Sequence, residues 1–462
     1  MKKVTYGGPE SRDARDIIAK PGDERYETGR RAFNLMADQH PALVALPVDE
    51  QDVAFAIRSA VESGMTVAPQ RTGHGATTLG SLDNTLLLRT DLMNRVNVDS
   101  LERRARVQAG SCWGDVVPAA SDLGLAALHG SSPGVGVVGY TLSGGISWYV
   151  RRYGLASDRV RAIELVTADG QLRRVDHESE PALFWALRGG GGRYGVVTAL
   201  EFDLLPVPEL YAGALFFPWE RSGEILHAWH AWALGVPDEL TSVARILQLP
   251  PLPQIPAPLR GNSFIVIEAV YLGSETNGIE LLSPLRRLGP AIDTIAEVTP
   301  AAISDLHMDP REPVAADDQH QLINTLPSRA IDDLVRVAGP GSRSPLLSFE
   351  LRHLGGALEH RDPDCGPLAS AQGAFATFGV GLTPNAKAVE SVRERFAMVR
   401  NALQPYDVGY ALPSFTLHSA DPSLFFDPAT IARLEAVRRD VDPHGVFSSN
   451  RARTQRGDAS SS

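Results

Sequence analysis

Three glycine-rich segments in the first half of the chain are the residues best suited to hold a ligand. Backbone without Cβ atoms can approach phosphate oxygens or the edge of a planar ring closely. One such segment alone is more typical of a tight surface turn, but three within one predicted domain favour a shared dinucleotide cradle. The segments read QRTGHGATTLG at 70–80, LHGSSPGVGVVGYTLSGG at 128–145 and RGGGGRYGVVT at 188–198.

The second segment contains a match to the fingerprint of a Rossmann turn, G-x-G-x-x-G, at Gly134, Gly136 and Gly139. A working fingerprint follows a strand and opens a helix. Here Pro133 directly precedes the motif, and the pair Gly144–Gly145 follows it, where a helix interior would be destabilised. The context therefore argues against an NAD site of the Rossmann type.

Glu350, in the segment LLSFELRHLGG, is a candidate catalytic base. If this segment is a strand, Ser348, Glu350 and Arg352 point to one side of the sheet. A carboxylate in the middle of a strand with apolar neighbours is costly unless it is paired or functional. Two interpretations stay open: a base that faces a reaction site, and an ion pair with Arg352 on an exposed face.

Other polar residues in the second half of the chain carry less information. Arg245 and Glu268 could line a pocket, but we expect each of them to lie on a solvated face of a sheet. His227 and His230 have no carboxylate or cysteine partner at metal-ligand spacing, so we predict no metal site. The only two cysteines, Cys112 and Cys365, are far apart and are interpreted as reduced thiols.

The elements that must position these residues fall into two groups. Residues 42–70 predict a strand, a helix and a second strand of the parallel kind. Further strands, a helix after Cys112 and a hairpin that turns at Asp169–Gly170 complete the first group. Beyond Pro206–Pro208 the pattern changes to longer strands separated by single helices, which predicts an antiparallel sheet with helices on one side.

In the second group the sequence predicts five strands and three helices. The strands are YAGALFF, TSVARILQL, SFIVIEAVYLG, PLLSFELRHLGG and AFATFGVGL. The helices are GEILHAWHAWALG, GIELLSPLRRLG and AVESVRERFAMVRNAL.

Composition limits the class of protein. The chain has 462 residues, which suggests two or three domains, and its 43% hydrophobic and 21% charged residues are ordinary for a globular protein. The net charge of -11 argues against a nucleic-acid partner or an anionic membrane. We see no signal peptide and no transmembrane segment, and we predict a cytoplasmic protein.

Four longer segments occur in an order that is more specific than any one of them. They are VAPQRTGHG at 67–75, HGSSPGVGVVGYTLSGGISWYVRRYGLASD at 129–158, ALFWALRGGGGRYGVVTALEFDLLPV at 182–207 and RLEAVRRDVDPHGVF at 433–447. These segments resemble VAVRxGGHS, HGxCPxVGxGGHxLGGGxGxxSRKYGLxxD, DLFWAxRGGGGNFGVVTxFEFxLxPV and RLxxVKxxYDPxNxF. Those patterns belong to the berberine-bridge-enzyme-like branch of the vanillyl-alcohol oxidase/p-cresol methylhydroxylase (PCMH) family of FAD-linked oxidases. Within this branch, the chain resembles members of bacterial natural-product pathways.

The resemblance implies FAD as the cofactor and an α+β fold. A two-subdomain FAD-binding domain of the PCMH type would be joined by a substrate domain, an antiparallel sheet with helices on one side. The expected boundaries are 1–207 for the FAD-binding domain, 208–412 for the substrate domain, 413–452 for a C-terminal segment that returns to the FAD domain, and 453–462 for a disordered tail.

The resemblance also assigns cofactor contacts. His74 matches the histidine that bonds covalently to the 8α carbon of the flavin, although a lone histidine beside glycines is otherwise a loop hydrogen-bonding residue. Relatives with a second covalent bond have a cysteine at the position of Ser132, so we expect one bond only. The predicted cofactor-binding residues are Gln70, Arg71, Thr72, Gly73, His74, Gly75, Ser131, Ser132, Val135, Gly136, Gly139, Tyr140, Gly144, Gly145, Val197 and Asn450.

For the reaction, the resemblance implies a base beside the flavin. Many members carry it on a Y-x-N-F/Y segment; in GYALPSF, Tyr410 matches but Leu412 and Pro413 replace the other two residues. Members that resemble bacterial polyketide-pathway enzymes have a glutamate at the position of Glu350. Glu350 and Tyr410 are therefore the catalytic candidates.

The main hypothesis is an FAD-dependent oxidase of a small or medium organic molecule (alcohol, amine or secondary-metabolite intermediate). Electrons would pass to O2 and give H2O2, and the enzyme would be a monomer or a homodimer. A second hypothesis keeps FAD but has the enzyme direct a cyclisation or rearrangement, because Leu412 and Pro413 depart from the family pattern. A third is a flavin-fold protein that serves only as a binding module.

Overall fold

The computed structural model describes residues 17–253, 255–360, 362, 364–368, 373–416 and 421–448. The predicted tail at 453–462 lies outside these residues. Within the described part of the chain, no helix has both the length and the hydropathy needed to cross a bilayer. Helices are combined with mostly antiparallel sheets, which confirms the α+β class predicted from the sequence.

The first subdomain is a four-stranded sheet with one long helix. Its elements are β1 (Ile18–Ala19), α1 (Glu24–Gly29), β2 (Leu43–Ala45), α2 (Glu50–Glu62), β3 (Thr66–Gln70) and β4 (Thr85–Arg89). The helix α2 begins after Asp49, whose carboxylate accepts hydrogen bonds from the N–H groups of Gln51 and Asp52. The order is β1-β2-β4-β3, with β2 and β3 both parallel to β4, as the strand–helix–strand pattern predicts.

The second subdomain is a five-stranded antiparallel sheet with the order β5-β6-β10-β8-β9, and a short pair, β7 and β11, lies beside it. Its elements are β5 (Val96–Asp99), β6 (Arg104–Gln108), α3 (Trp113–Ser121), β7 (Leu125–Ala126), α4 (Val137–Leu142), α5 (Val150–Tyr153), β8 (Val160–Val166), β9 (Leu172–Val175), α6 (Pro181–Leu187), β10 (Val196–Asp203) and β11 (Leu205–Pro206). The strands β8 and β9 form the predicted hairpin.

The third part is an eight-stranded antiparallel sheet with four helices. Its elements are β12 (Tyr211–Pro218), α7 (Ser222–Ala233), β13 (Leu240–Gln248), β14 (Ser263–Tyr271), α8 (Glu275–Arg286), β15 (Ile292–Asp293), β16 (Ala296–Glu297), β17 (Ala316–Ile323), α9 (Ser328–Ala338), β18 (Leu346–His353), β19 (Phe375–Leu382) and α10 (Ala386–Leu403). The order is β15-β12-β14-β13-β18-β19-β17, and β16 also pairs with β12.

Two substantial elements of this sheet domain are absent from the sequence prediction. The strand β17 reads ADDQHQLI, and Asp317, Asp318, Gln319 and Gln321 within it are buried. A run of polar residues does not show the apolar alternation of a half-buried strand. The helix α9 buries Ala330, Ile331, Leu334, Val337 and Ala338 on one side, a helical spacing that the sequence analysis overlooked.

One face of the sheet packs against helices. Phe349 and Leu351 of β18 belong to the same buried cluster as Trp229 of α7, Leu334 of α9 and Phe396 of α10. Because side chains alternate along a strand, Ser348, Glu350 and Arg352 of β18 point to the opposite face. All three are also buried, so both faces of this sheet are covered.

The described C-terminal residues lie against the first two subdomains. In α11 (Pro428–Val441), Leu434, Val437 and Val441 are buried in the core of the second subdomain. The N–H of Val67 donates to the carbonyl of Val446, and the N–H of Ser448 donates to the carbonyl of Val67, both at 2.8 Å. This segment therefore continues the edge of the first sheet beside β3.

Arg151 in α5 joins the second subdomain to the large sheet. Its guanidinium donates to the carbonyls of Leu240 and Leu354, lies 3.0 Å from His353 Nε2, and pairs with Asp238 at 3.1 Å. The side chain is only 7% exposed. Two strand ends, at β13 and β18, are thus held by one cation.

We expect Arg151→Met to lower the free energy of unfolding by about 2–4 kcal/mol, since each buried carbonyl left without a donor costs about 1–3 kcal/mol. Chemical denaturation measures the change. The matched control is Arg152→Met, whose half-exposed pair with Glu239 spans 3.5 Å and should change stability by less than about 1 kcal/mol. Equal losses of stability in the two variants would contradict the role assigned to Arg151 in holding the ends of β13 and β18.

Candidate active site

A cavity of about 1050 Å³ lies between the two glycine-rich subdomains and the polar face of the large sheet. Most of the residues predicted as cofactor contacts line it, together with Glu350. Those lining residues are Gln70, Arg71, Thr72, Gly73, His74, Gly75, Ser131, Ser132, Val135, Gly136, Gly139, Tyr140 and Val197. The three glycine-rich segments therefore meet at one cavity.

Gly144 and Gly145 lie behind the wall of the cavity. Both have positive φ, at +93° and +77°, a conformation that L side chains rarely adopt. A Cβ atom on Gly145 would lie 2.5 Å from the ring of Tyr140, and one on Gly144 would lie 2.6 Å from Leu368. Gly145 thus leaves room for the Tyr140 ring, which lines the cavity, and Gly144 leaves room for Leu368. Asn450 lies outside the described residues.

Tyr410 does not line the cavity, so the structure gives no support to it as a catalytic residue. The reason is local: the N–H of Ala411 donates to the carbonyl of Leu424, and the N–H of Leu412 donates to His320 Nε2. These bonds direct the chain so that Ser414 and Phe415, at the following short helical turn, reach the cavity instead.

His74 sits in the loop after β3, held on two sides. Thr72 Oγ1 lies 2.7 Å from His74 Nδ1, and the ring of Phe33 stacks on the imidazole with centroids 3.9 Å apart. Burial, with the charge of Arg71, lowers the pKa of His74 to about 4. The imidazole is therefore neutral at pH 7 and keeps a nucleophilic lone pair on one nitrogen.

Arg71 supports this loop from beneath. Its Nε donates to the carbonyl of Gly110 at 2.5 Å, and its Nη1 pairs with Asp91 at 2.8 Å. A Cβ atom on Gly136 would lie 3.1 Å from Arg71 Cγ, so the second glycine-rich segment can pass this side chain only without a larger residue. The first and second segments thus fit against each other through a glycine.

The cavity residues fit FAD. A Cβ atom on Gly139 would meet no protein atom within 4 Å, so this glycine opens space beside the cavity that a side chain would fill. The Tyr140 hydroxyl is buried at the cavity and has no hydrogen-bond partner among the described residues. Bare backbone for close approach and an unpaired donor suit a large, planar, polar group.

Ser131 and Ser132 differ in what they do. Ser131 Oγ donates to Asp309 at 2.7 Å, which links the cofactor loop to the loop that follows Ile303 in the sheet domain. Ser132 lines the cavity and places a hydroxyl where a second covalent bond would need a thiolate.

Glu350 and Arg352 form an ion pair on the cavity face of β18. Arg352 Nη2 donates to Glu350 Oε1 at 3.0 Å, and both side chains are 2% exposed. The Arg352 guanidinium lies between the rings of Trp148 and Phe415, at 5.3 and 5.2 Å. The ion pair between Glu350 and Arg352 that the sequence suggested as one interpretation is present. It is buried at the cavity, however, and not on an exposed face.

Arg245 and Glu268 are buried as well, and the expectation of a solvated face is wrong. Arg245 Nη1 donates to Glu268 Oε1 at 2.7 Å, and Glu268 is 0% exposed. The alternation of these strands resembles that of a half-exposed sheet. The face that would meet water in such a sheet is covered here by the cofactor subdomains and by the loop that carries His307.

His307 links the two carboxylates. Its Nδ1 lies 2.7 Å from Glu268 Oε2, and its Nε2 lies 2.9 Å from Glu350 Oε2. Arg245 also donates to the backbone carbonyl of His307 at 2.8 Å. We refer to Arg245, Glu268, His307, Glu350 and Arg352 as the buried charge cluster.

The charges of the cluster set its protonation. Burial opposes ionisation of Glu350, but Arg352 and His307 outweigh it and lower the pKa of Glu350. Burial and Arg245 disfavour the charged form of His307, yet Glu268 and Glu350 outweigh them and raise the pKa of His307 to about 9. The neighbouring charges thus favour the ionised form of both carboxylates and of the imidazole.

The sequence analysis missed His307, Asp309 and Phe415, all of which line the cavity. They lie in loops and carry no periodic signal, so only their position in the fold brings them to the site. For Arg245 and Glu268 a signal existed, since two opposite charges stand mid-strand in apolar segments. Read together, these charges indicate a buried pair.

Comparisons with known proteins agree with this geometry. The family model described as FAD binding domain matches residues 41–176. The (R)-6-hydroxynicotine oxidase of Paenarthrobacter nicotinovorans is 37% identical over 206 residues, 44% of each chain, so the match spans less than half of that protein. An FAD-linked oxidoreductase of Dictyostelium discoideum is 25% identical over 94% of this chain and 93% of its own length.

Among solved structures, berberine bridge enzyme from Eschscholzia californica matches with a TM-score of 0.79. The match covers 93% of this chain and 94% of that one at 19% identity, and it shows the shared fold. Together with the FAD-binding domain, it confirms the predicted PCMH-type FAD domain and sheet-rich substrate domain. The chain therefore contains an FAD-binding domain, resembles an FAD-linked oxidoreductase over nearly its full length and has the fold of berberine bridge enzyme.

Proposed function

We propose that the protein is an oxidase of a small or medium organic molecule, an alcohol, an amine or an intermediate of secondary metabolism. The observation that carries the proposal is Glu350 Oε2. It belongs to a carboxylate that lines the cavity, and it lies 2.9 Å from His307 Nε2 while Oε1 accepts from Arg352. A carboxylate oxygen in that position can take a proton from a substrate.

The chemistry that bound FAD supplies is acceptance of a hydride from the substrate carbon, with O2 as the final acceptor and H2O2 as the product. Glu350 would take the accompanying proton, and Arg352, fixed by its pair with Glu350, would keep that carboxylate ionised and oriented. The walls formed by Trp148 and Phe415 would exclude water from the pair.

We propose further that His74 holds the cofactor through one covalent bond, from an imidazole nitrogen to the 8α carbon of the flavin. The neutral, oriented ring at the cavity supports this role. Ser132 cannot form the thioether that a cysteine would. Gln70, Arg71, Thr72 and Gly73 would complete the contacts of the same loop.

The enzyme is proposed to be cytoplasmic, as a monomer or a homodimer, and to act without nucleic-acid or membrane partners. The alternative of a cyclisation or rearrangement predicts turnover without stoichiometric peroxide.

For Glu350, we expect Glu350→Gln to lower kcat/KM by about 10²–10⁴-fold, the usual contribution of a positioned base. Oxygen uptake and peroxide release are measured over a panel of alcohols and amines. The control Glu297→Gln alters an exposed glutamate and should leave the rate unchanged. Full activity in Glu350→Gln would remove Glu350 as the base, and conversion without peroxide would favour the rearrangement.

For His74, acid precipitation of the wild-type protein should leave the yellow colour with the polypeptide, and His74→Ala should release it to the supernatant. Ser132→Ala is the matched control, because a single bond through His74 predicts that its flavin also stays with the pellet. Colour in the pellet of His74→Ala, or release from Ser132→Ala, would contradict the assignment.

A further inference from the structure

The buried charge cluster contains more charge than an acid–base pair requires. Arg245 and Glu268 contact each other and His307, while Glu350 and Arg352 occupy the next strand. Taking such groups out of water is costly, and an apolar pair of similar volume is often as stable or more so. The arrangement therefore calls for a role other than stability.

The hydrogen bonds of Glu268 determine which nitrogen of His307 carries a proton. Its Oε1 accepts from Arg245, and its Oε2 lies 2.7 Å from His307 Nδ1. An ionised carboxylate can only accept, so Nδ1 of His307 must carry the hydrogen of that contact. Glu268 in this way fixes both the orientation of the ring and the proton on its first nitrogen.

The second nitrogen of His307 then determines the charge. His307 Nε2 lies 2.9 Å from Glu350 Oε2. A neutral ring with its proton on Nδ1 would direct a lone pair at a carboxylate oxygen, which is repulsive. A proton on Nε2 turns this contact into an attraction. The geometry thus requires one proton between His307 and Glu350 while Glu268 is ionised.

The loop that carries His307 is fixed on both sides of that residue. The His307 carbonyl accepts from Arg245. Met308 has a φ of +56°, a left-handed conformation that costs energy for a residue other than glycine and persists where the surroundings hold it. Asp309 then accepts from Ser131 of the cofactor loop.

Building on the proposed role of Glu350, we propose that His307 is a positioning residue for that base, held as an imidazolium between Glu268 and Glu350. Arg245 and Glu268 hold His307, and His307, 2.9 Å from Oε2, holds the Glu350 carboxylate ionised and oriented at the wall of the cavity. The groups that face His307 are Arg245 from β13, Glu268 from β14, Glu350 and Arg352 from β18, Asp309 from its own loop, and the ring of Trp148.

The first test needs no substrate. In protein with ¹⁵N-labelled imidazoles, one histidine should remain protonated above pH 8. In Glu268→Gln the same signal should titrate at least one pH unit lower, because a stabilising negative charge is lost. The control His227→Gln removes a partly exposed histidine that pairs with Asp332 and should leave this signal unchanged. Absence of a histidine that titrates above pH 8, or no shift in Glu268→Gln, would overturn the proposal.

The second test uses a substrate identified by oxygen uptake. In His307→Gln, the acid limb of the kcat/KM profile should move upward by at least one pH unit, since Glu350 loses a cationic neighbour. His307→Asn is the second variant if the first does not fold. If the acid limb of the variant coincided with that of the wild type, His307 would not act through the protonation of Glu350, and the proposal would be overturned. Failure to find any substrate would count against the oxidase alone, because the imidazole titration decides the proton between His307 and Glu350 separately.

Discussion

The site depends on burial of both faces of the eight-stranded sheet. One face packs on helices, and the other is covered by the two subdomains that carry the glycine-rich segments. Charged side chains on the second face have no water to solvate them, so each must find a partner of opposite charge. The short contacts among Arg245, Glu268 and His307 follow from this constraint. Burial of these charges is costly for folding, but the hydrogen bonds that compensate for it hold the charged groups rigidly in place beside the cavity.

Much of the cofactor half could be predicted from the sequence. The glycines around Gly139, the histidine at position 74 and the hairpin at Asp169–Gly170 are local signals, and the structure brings the first two to one cavity. Their recognition needed only short windows of sequence. The family resemblance added the cofactor, because the order of four segments is a longer signal than any motif.

The environment of the polar residues in the large sheet could not be predicted from the sequence, for physical reasons. An alternating strand reads the same whether its polar face meets water or another domain, so Arg245 and Glu268 were assigned to the wrong environment. The strand β17 was not predicted because its buried residues are polar and do not show the alternation of apolar residues that indicates a strand. His307 depends on a loop conformation that no periodicity encodes. Tyr410 matched a motif, yet backbone hydrogen bonds of the next two residues turn the chain so that its neighbours face the cavity.

The hydrogen bond between Ser131 and Asp309 joins a loop of the cofactor half to the loop that carries His307. A contact of this kind makes the two halves thermodynamically linked: whatever orders one loop lowers the entropic cost of ordering the other. The linkage is reciprocal. A molecule that binds beside the large sheet would therefore strengthen cofactor binding by the same free energy by which the cofactor strengthens binding of that molecule. An anchor at His74 would make this ordering permanent, because a ligand that cannot dissociate keeps its contribution at any dilution.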